Sequence, residues 1–213
     1  MQILETERLV LRELEPSDYR ALCVILQDPD VMYAYEHAFS DAEVTEWLER
    51  QLARYAEYGF GLWAVLRKAE GDMIGQCGIT MQAVGEQLVP EVGYLFAKAF
   101  WHQGYATEAA RACRNWAFET LGADKVYSMI RENNMPSRHV AERNGMNPCG
   151  MLCKHYYGID MPHMIYSVER EAIFSSEKRQ KRNLSQPGTN DRYENQTAVR
   201  RQEETSYVKT GQS

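Results

Sequence analysis

The segment from Phe100 to Ala109 carries the residues best arranged for binding an anion. It joins an apolar, strand-like run to a long helical pattern through a turn of small and polar residues. Consecutive backbone N–H groups in such a turn can point at one spot, which the helix dipole makes attractive to a diphosphate. The donors would be Gln103, Gly104, Tyr105, Ala106 and Thr107. The alternative is an ordinary strand-to-helix loop, because short glycine patterns recur by chance.

Other binding motifs are missing from the sequence. Its five cysteines are an odd number at irregular spacings, with neither a Cys-x-x-Cys pair nor a histidine set of metal-finger form. The sequence contains neither a Gly-x-x-x-x-Gly-Lys phosphate loop nor a Gly-x-Gly-x-x-Gly motif after a strand. We therefore predict no metal site and disfavour a nucleotide-binding protein.

The elements that must position the turn follow from the apolar spacing, which alternates between helical and strand-like periods. We predict strands over 9–14, 62–67, 73–81, 89–97, 125–130, 150–157 and 164–168. Helices are predicted over 16–26, 40–59, 104–121 and 136–144. In the second helix, Ser40 and Glu43 form a capping box and Gly59 provides a stop. The pattern predicts an α/β (α+β) fold in which helices flank one mixed, mostly antiparallel sheet of six to seven strands.

Composition divides the 213 residues into two parts, 1–171 and 172–213. The second part is polar, and its eight basic and five acidic residues give +3, which leaves −9 for residues 1–171 against −6 for the whole chain. This second part has too few large apolar residues to offset the entropy lost on ordering the chain. We therefore predict a disordered tail. No apolar run reaches the ~18 to 20 residues of a spanning helix. Because residues 1–8 are also charged, we predict a cytoplasmic protein that does not enter a membrane.

Five segments, of which the turn is one, occur in one order and at familiar spacings. They are Glu5–Arg12, Ile74–Gly78, Glu91–Tyr94, Trp101–Ala109 and Asn134–Ser137, the last followed by Gly145-Met146. Together they make residues 1–170 resemble the GNAT N-acetyltransferase superfamily, and most closely its Rim-type branch of ribosomal-protein N-terminal acetyltransferases. The resemblance implies that acetyl-CoA is the acetyl donor.

The resemblance also implies a binding mode for acetyl-CoA. The strand over 89–97 would bulge and splay from its neighbour, so that the pantetheine arm pairs with backbone groups near Leu95 and Phe96 like an added strand. The turn over 103–107 would hold the pyrophosphate. Asn134 would contact the arm from the opposite side, although Asn134 is also a good helix cap before Pro136-Ser137.

Catalytic roles carried over from the family fall on two residues. Glu91 matches the frequent general base, acting directly or through water, and its alternative reading is a solvated strand carboxylate. A backbone N–H near Leu95 would stabilise the oxyanion. Many relatives have a tyrosine four residues beyond the Ser137 position that protonates the thiolate, but this chain has Ala141 there. Ser137 is the candidate substitute acid, and a plain helix cap is its alternative.

Two further positions leave alternatives open. Trp101 replaces the polar residue that many relatives carry before the turn, so diphosphate binding would rest on backbone donors and Gln103. The aromatic stretch at Tyr33, Tyr35, His37 and Phe39 either borders the acceptor site, as in the family, or packs a loop. His155 and His163 receive no role.

The predicted reaction is direct transfer of acetyl from acetyl-CoA to a primary amine: a protein N-terminus, a polyamine, an amino sugar or an antibiotic. The −9 charge would modestly favour cationic acceptors. The alternative from another class is a non-catalytic acetyl-CoA sensor, which the missing tyrosine supports. An acidic chain is a poor general nucleic-acid binder, although basic residues at 178–182 and 200–201 could touch ribosomal RNA. The sequence favours neither a monomer nor a homodimer.

Overall fold

The computed structural model describes residues 1–175. Its helices are α1 (Tyr19–Leu26), α2 (Pro29–Met32), α3 (Asp41–Tyr58), α4 (Tyr105–Glu119) and α5 (Met135–Arg143). Its strands are β1 (Gln2–Glu5), β2 (Leu9–Arg12), β3 (Leu62–Arg67), β4 (Met73–Val84), β5 (Gln87–Phe96), β6 (Lys125–Arg131), β7 (Asn147–Tyr156) and β8 (Ile159–Glu169). Each predicted helix and strand is present, with shifted ends.

Local chemistry explains the boundaries of α3. Ser40 accepts a hydrogen bond from the Glu43 N–H, and the Glu43 carboxylate accepts one from the Ser40 N–H, which completes the capping box. Gly59 ends the helix at φ +76°, a left-handed conformation that glycine adopts without steric cost. The sequence prediction for this helix is confirmed.

The strands form one eight-stranded sheet in the order β1-β2-β3-β4-β5-β6-β8-β7. Every neighbouring pair is antiparallel except β5 and β6, which are parallel and connected through α4. The predicted mostly antiparallel α/β sheet is confirmed, but the predicted number of six to seven strands is too low. The additional strand, β1, has only four residues and no alternation of buried and exposed positions, so it leaves no periodic signal.

Side chains of β3 show how the helices cover the two faces of the sheet. Leu62 and Ala64 belong to the core cluster formed with α1, α2 and α3. Trp63, the residue between them, packs edge-on against Trp116 of α4 at a centroid distance of 5.0 Å. Because side chains alternate along a strand, α1–α3 lie on one face and α4 on the other.

The joint between β5 and β6 is the weakest in the sheet, since the two strands share a single paired position, Glu91 with Tyr127. On its opposite edge β6 pairs along its full length with β8, from Lys125 to Arg131. The predicted splay is therefore present. The predicted bulge is wrong, because β5 pairs with β4 without a register shift from Phe96 to Gln87. Divergence on the β6 side opens the cleft without a bulge.

The described chain ends in helical residues 170–175, and residues Met1–Ile173 form one compact unit. Ile173 is buried, with its Cδ1 atom 3.0 Å from the point that a Cβ at Gly145 would occupy. The rest of the predicted tail, including its basic residues, lies outside the described residues. Within residues 1–175, no helix combines the length and apolar character needed to cross a membrane.

Candidate active site

A cavity of about 710 Å³ opens where β5 and β6 diverge. Its walls come from α3, the turn before α4, the start of α5 and the β7–β8 hairpin. The cavity lining includes all the sequence-predicted site residues except Gln103: Glu91, Leu95, Phe96, Gly104, Tyr105, Ala106, Thr107, Asn134 and Ser137. The fold thus brings together residues from three separate segments of the chain: β5, the turn before α4 and the start of α5.

Glu91 lies where the cleft begins, because it forms with Tyr127 the single paired position between β5 and β6. Its Oε1 atom accepts a hydrogen bond from the Met129 N–H at 2.8 Å. Burial raises the pKa of Glu91 above its ordinary value, and the positive charges of Lys154 and Arg54 oppose the rise. The alternative reading of Glu91, a solvated strand carboxylate, does not fit this enclosed position. A fixed carboxylate with a raised pKa has the properties of a general base.

The hydrogen-bond pattern of β5 decides which backbone groups face the cleft. The Ala97 N–H donates to the Ile74 carbonyl, so in this antiparallel ladder the odd-numbered residues of β5, including Leu95, bond to β4. The even-numbered residues face β6, and the Ser128 hydroxyl accordingly donates to the Val92 carbonyl at 2.8 Å. Backbone groups of Tyr94 and Phe96, rather than of Leu95, therefore face the cleft.

Trp101 has a structural task that the sequence did not suggest. Its indole N–H donates to the Phe96 carbonyl at 2.8 Å. This carbonyl faces the cleft and would otherwise be free to pair with a ligand. An extended ligand can thus use the N–H of Phe96 but meets a carbonyl that already has a partner.

The turn before α4 has the geometry of an anion site. Gly104 is the N-cap at φ +82°, and no side chain caps the helix. His102, two residues earlier, also has a positive φ of 59°. The first helical N–H groups, those of Tyr105, Ala106 and Thr107, are thus left for a ligand or water. The dipole of the 15-residue helix α4 favours negative charge at this end.

The N-terminal segment fixes this turn. The Glu108 carboxylate accepts hydrogen bonds from the Thr6 hydroxyl at 2.6 Å and from the Arg8 N–H at 2.9 Å. Arg8 also donates through its guanidinium to Glu108 and to the Gln103 carbonyl, and its guanidinium lies 4.3 Å from the Tyr105 ring centroid. Sequence reasoning assigned no role to this pair. Their separation of 100 residues hides the contact from any local pattern.

Gln103 differs from its predicted role. Its side-chain amide donates to the Ala99 carbonyl at 3.0 Å, which closes the turn internally. A second cavity, of about 720 Å³, lies beside the turn and shares Gly104, Thr107 and Arg143 with the first. Arg111 also lines it. Arg111 and Arg143 offer positive charge beside the turn, whereas the sequence interpretation relied on backbone donors and Gln103.

Asn134 and Ser137 form the start of α5. The Asn134 Oδ1 atom accepts from the Ser137 N–H at 3.2 Å, so the helix-cap reading is confirmed. The same oxygen accepts from the Tyr33 hydroxyl at 2.6 Å, and the Asn134 amide nitrogen takes part in neither contact. The Tyr94 hydroxyl donates to the Ser137 carbonyl at 2.8 Å. Tyr94 thus ties β5 to α5 across the cleft.

The aromatic stretch both packs and lines the cavity. Tyr35 and Phe39 make edge-on contacts with Trp47 at centroid distances of 6.0 and 5.8 Å, and all three line the cavity. His37 lies outside the lining and packs against Tyr157 at 4.5 Å. The two alternatives left open by the sequence are therefore compatible.

Several polar residues of the lining had no role in the sequence-based interpretation, among them Arg50, Arg54, Lys154 and His163. His163 is buried, and its Nδ1 atom lies 2.8 Å from the Met161 carbonyl, so Nδ1 carries the proton. Burial lowers the pKa of His163 below its ordinary value. The imidazole is therefore neutral at pH 7. Within residues 1–175, no group of three or more His, Cys, Asp and Glu side chains could hold a metal ion.

Comparison with known proteins agrees with this geometry. The family model of the acetyltransferase (GNAT) domain matches residues 8–147. The chain therefore belongs to the GNAT acetyltransferase family and is an acetyl-CoA-dependent acetyltransferase, and its predicted membership is confirmed.

Individual relatives give the same picture. The uncharacterized protein YkkB of Bacillus subtilis is 39% identical over 145 residues, which cover 68% of this chain and 84% of YkkB. A GNAT-family acetyltransferase from Bacillus anthracis has a similar structure, with a TM-score of 0.69 and 25% identity over 80% of this chain and 99% of that one. Mycobacterium smegmatis RimJ, solved in complex with CoA-disulfide, shares the fold at a TM-score of 0.64 and 20% identity, over 78% of this chain and 83% of RimJ. The Rim-type likeness is thus confirmed at the level of the fold.

Proposed function

We propose that this protein is an N-acetyltransferase that moves acetyl from acetyl-CoA directly to a primary amine, without a covalent enzyme intermediate. The observation that carries the proposal is the position of Glu91. Its carboxylate is fixed by the Met129 N–H at the point where the cleft opens, and burial raises its pKa. A base in this position can take a proton from an amine that enters the cavity from the side of α3 and β7.

The residues present fit acetyl-CoA. The uncapped start of α4 suits the pyrophosphate, because its N–H groups and helix dipole favour an anion. Arg111 and Arg143, in the second cavity, add charge for a further phosphate. Backbone groups of Tyr94 and Phe96 face the cleft, where they can pair with the amides of the pantetheine arm. The Asn134 amide nitrogen is a further donor on the opposite side.

Acetyl-CoA supplies an activated acetyl group as a thioester. Glu91 accepts the proton of the attacking amine as the C–N bond forms, and the backbone N–H of Tyr94 or Phe96 donates to the oxyanion. The C–S bond then breaks, and the thiolate takes one proton. The products are the N-acetylated amine and free CoA.

Ser137 is our candidate for the proton donor to the thiolate. It lines the cavity at the start of α5, and the Tyr94 hydroxyl holds its carbonyl in place. Ala141, which replaces the common tyrosine, is only 1% exposed on the inner side of α5. Water is the other available donor. The cytoplasmic location and the ribosomal contact of the tail stay predictions.

The experiment that tests the function is the release of thiol from acetyl-CoA, followed with a thiol-reactive dye across a panel of amines. The panel contains an Ala-starting peptide, spermidine, an aminoglycoside, glucosamine and free amino acids. We expect release that depends on one class of acceptor, with mass spectrometry showing the acetylated amine. Tight binding of acetyl-CoA without release for any amine would favour the sensor alternative instead.

A further inference from the structure

The charge of the main cavity is opposite in sign to that of the chain. Among the described residues, its lining contains five cationic side chains, Arg50, Arg54, Arg131, Arg143 and Lys154, but a single carboxylate, Glu91. The whole chain has a formal net charge of −6. A ligand inside the cavity therefore meets a positive local field, because short-range charges outweigh distant ones that salt screens.

Two of the five cations are set apart from the acceptor end, Arg131 by its partners and Arg143 by its position. Arg131 forms a salt bridge with Glu36 and donates to the Tyr33 carbonyl. Arg143 lies beside the turn, because it also lines the second cavity together with Gly104 and Thr107. The charge left for the acceptor end of the cavity is that of Arg50, Arg54 and Lys154.

These three residues are grouped around Glu91 and the aromatic wall. Arg54 and Lys154 both act on the charge of Glu91. Arg50 and Arg54 are one helical turn apart on α3, and the Arg50 guanidinium lies 5.6 Å from the Trp47 ring centroid. Arg54 donates to the Gln51 side chain at 3.1 Å.

Apart from Glu91, no acid among the described residues lines the cavity beside this group. Within residues 1–175, none of Arg50, Arg54 and Lys154 forms a salt bridge. The nearby Glu43 carboxylate is held by Ser40 and His37, whose hydrogen bonds lower the pKa of Glu43 to about 2. Glu43 lies outside the lining and meets the cavity wall only through the Tyr157 hydroxyl, at 3.5 Å.

We propose that the acceptor is a small primary amine that also carries an anionic group, a carboxylate or a phosphate, which binds Arg50, Arg54 and Lys154. This inference rests on the proposed function. The same cations favour the neutral form of an amine beside Glu91, because like charges disfavour the ammonium. They also repel polyamines. The cationic acceptors expected from the net charge are thus replaced by anionic ones.

The test compares acceptors with and without the anionic group. One pair is glutamic acid α-amide and glutamine α-amide, and the other is glucosamine 6-phosphate and glucosamine. We expect kcat/KM to be at least tenfold higher for the anionic member of one pair, since a hydrogen bond to a charged group is typically worth more than a neutral one. The pair that shows the preference identifies the carboxylate or the phosphate. Calorimetric titration of the preferred acceptor into the enzyme with CoA measures its binding without turnover.

The variants assign the effect to the cationic group. Arg50→Gln and Lys154→Gln should each raise the Kd and KM of the anionic member of the pair roughly tenfold. The Kd and KM of the neutral member should stay unchanged. Arg50→Lys should recover part of the loss. Arg20→Gln is the matched control, because Arg20 is exposed on α1 and outside both cavities. Melting temperatures of all variants show that each is folded.

The outcomes separate the two proposals. Turnover of amines without a preference in either pair, or a preference that Arg50→Gln does not reduce, would overturn the inference and leave the proposed function intact. Preferential acetylation of spermidine would overturn it as well. Failure of every amine to release thiol would instead contradict the proposed function. In that case, equal calorimetric affinity for both members of each pair would overturn the inference too.

Discussion

Arg8 and Glu108 join the N-terminal segment to α4, the helix that follows the turn at Gly104. The Arg8 side-chain Nε atom lies 2.7 Å from Glu108 Oε2, and its backbone N–H donates to Oε1. The Arg8 guanidinium also donates to the Gln103 carbonyl. Burial opposes the ionised form of Glu108, but hydrogen bonds from Thr6 and Arg8 lower the pKa of Glu108 below its ordinary value. The carboxylate is therefore ionised near neutral pH and keeps the turn in one conformation.

We predict that Arg8→Gln weakens acetyl-CoA binding without removing any residue that touches the chemistry. A turn that is no longer fixed must be ordered on binding, so the Kd should rise about tenfold, within the usual range of positional effects. Calorimetric titration of acetyl-CoA into each variant measures this Kd. Glu108→Gln should act similarly, and the double variant should lose little more than either single one. Additive losses would show that the two residues act independently.

Gly104→Trp should abolish detectable acetyl-CoA binding. The new side chain would occupy the turn, where a Cβ already comes within 3.4 Å of the Arg8 guanidinium. Gly122→Trp is the control, since Gly122 has a similar φ of +72° with no atom near its Cβ position. Both variants pay for backbone strain, but only Gly104→Trp should lose affinity on titration. Unchanged affinity in Gly104→Trp would disprove the assignment of the turn.

Glu91→Gln should lower kcat by about 10² to 10⁴, the usual contribution of a general base. The Kd of acetyl-CoA should stay within twofold, because Glu91 faces the acceptor end. In the native enzyme, kcat/KM should rise with pH as Glu91 ionises, with a midpoint above the ordinary pKa of 4.5 because burial raises it. The variant should lack this acidic limb. Equal loss of turnover and cofactor affinity would identify Glu91 as structural.

The same substitution should stabilise the fold at neutral pH. Since the folded-state pKa of Glu91 lies above its unfolded value, ionisation costs stability as pH rises from about 4.5 through the folded-state pKa. Glutamine removes this cost and can still accept from the Met129 N–H. The melting temperature should thus be higher by about 2 to 4 °C at pH 7 if the gain is near 1 kcal/mol. The difference should shrink toward pH 4, and a lower melting temperature at pH 7 would contradict the prediction.

Gly78→Ala should destabilise the protein strongly, by roughly 3 kcal/mol or more. A Cβ at Gly78 would lie 2.0 Å from the Gly61 carbonyl oxygen, and neither backbone can move within the β3–β4 ladder. Gly93→Ala is the matched control on the neighbouring strand, because its Cβ would meet only the Leu62 side chain at 3.4 Å. Urea unfolding of both variants measures the difference. Equal stability would mean that the ladder can relax.

The sequence predicted the fold where short-range chemistry controls it. The Ser40–Glu43 box and Gly59 defined α3, because capping acts within a few residues. Which residues of β5 face the cleft, the odd-numbered or the even-numbered ones, could not be predicted. The answer depends on the register with β4, and a bulge would have exchanged the two sets. The sequence-based prediction consequently named Leu95 and Phe96, whereas Tyr94 and Phe96 face the cleft.

The candidate site likewise contains residues that the sequence could identify and residues that only the fold reveals. Glu91 and Gly104 lie in recognisable segments, and the structure brings them to one cavity. Arg50, Arg54 and Lys154 look in sequence like solvated charges on a helix and a strand. Only the packing of α3 and β7 around Glu91 shows that these three residues share a cavity. No local sequence pattern indicates this proximity.

Because β5 and β6 share a single paired position, the sheet consists of two well-paired parts, one of five strands and one of three. Tyr94 and Phe96 therefore lie on an internal edge, with backbone groups that are not part of any strand ladder. An exposed edge invites aggregation, but this one lies inside the cavity, whose walls include α3, the start of α5 and the β7–β8 hairpin. Hydrogen exchange at these two amides should be fast in the free enzyme and slow once the pantetheine arm completes the missing ladder. The donor substrate would then act as a removable ninth strand.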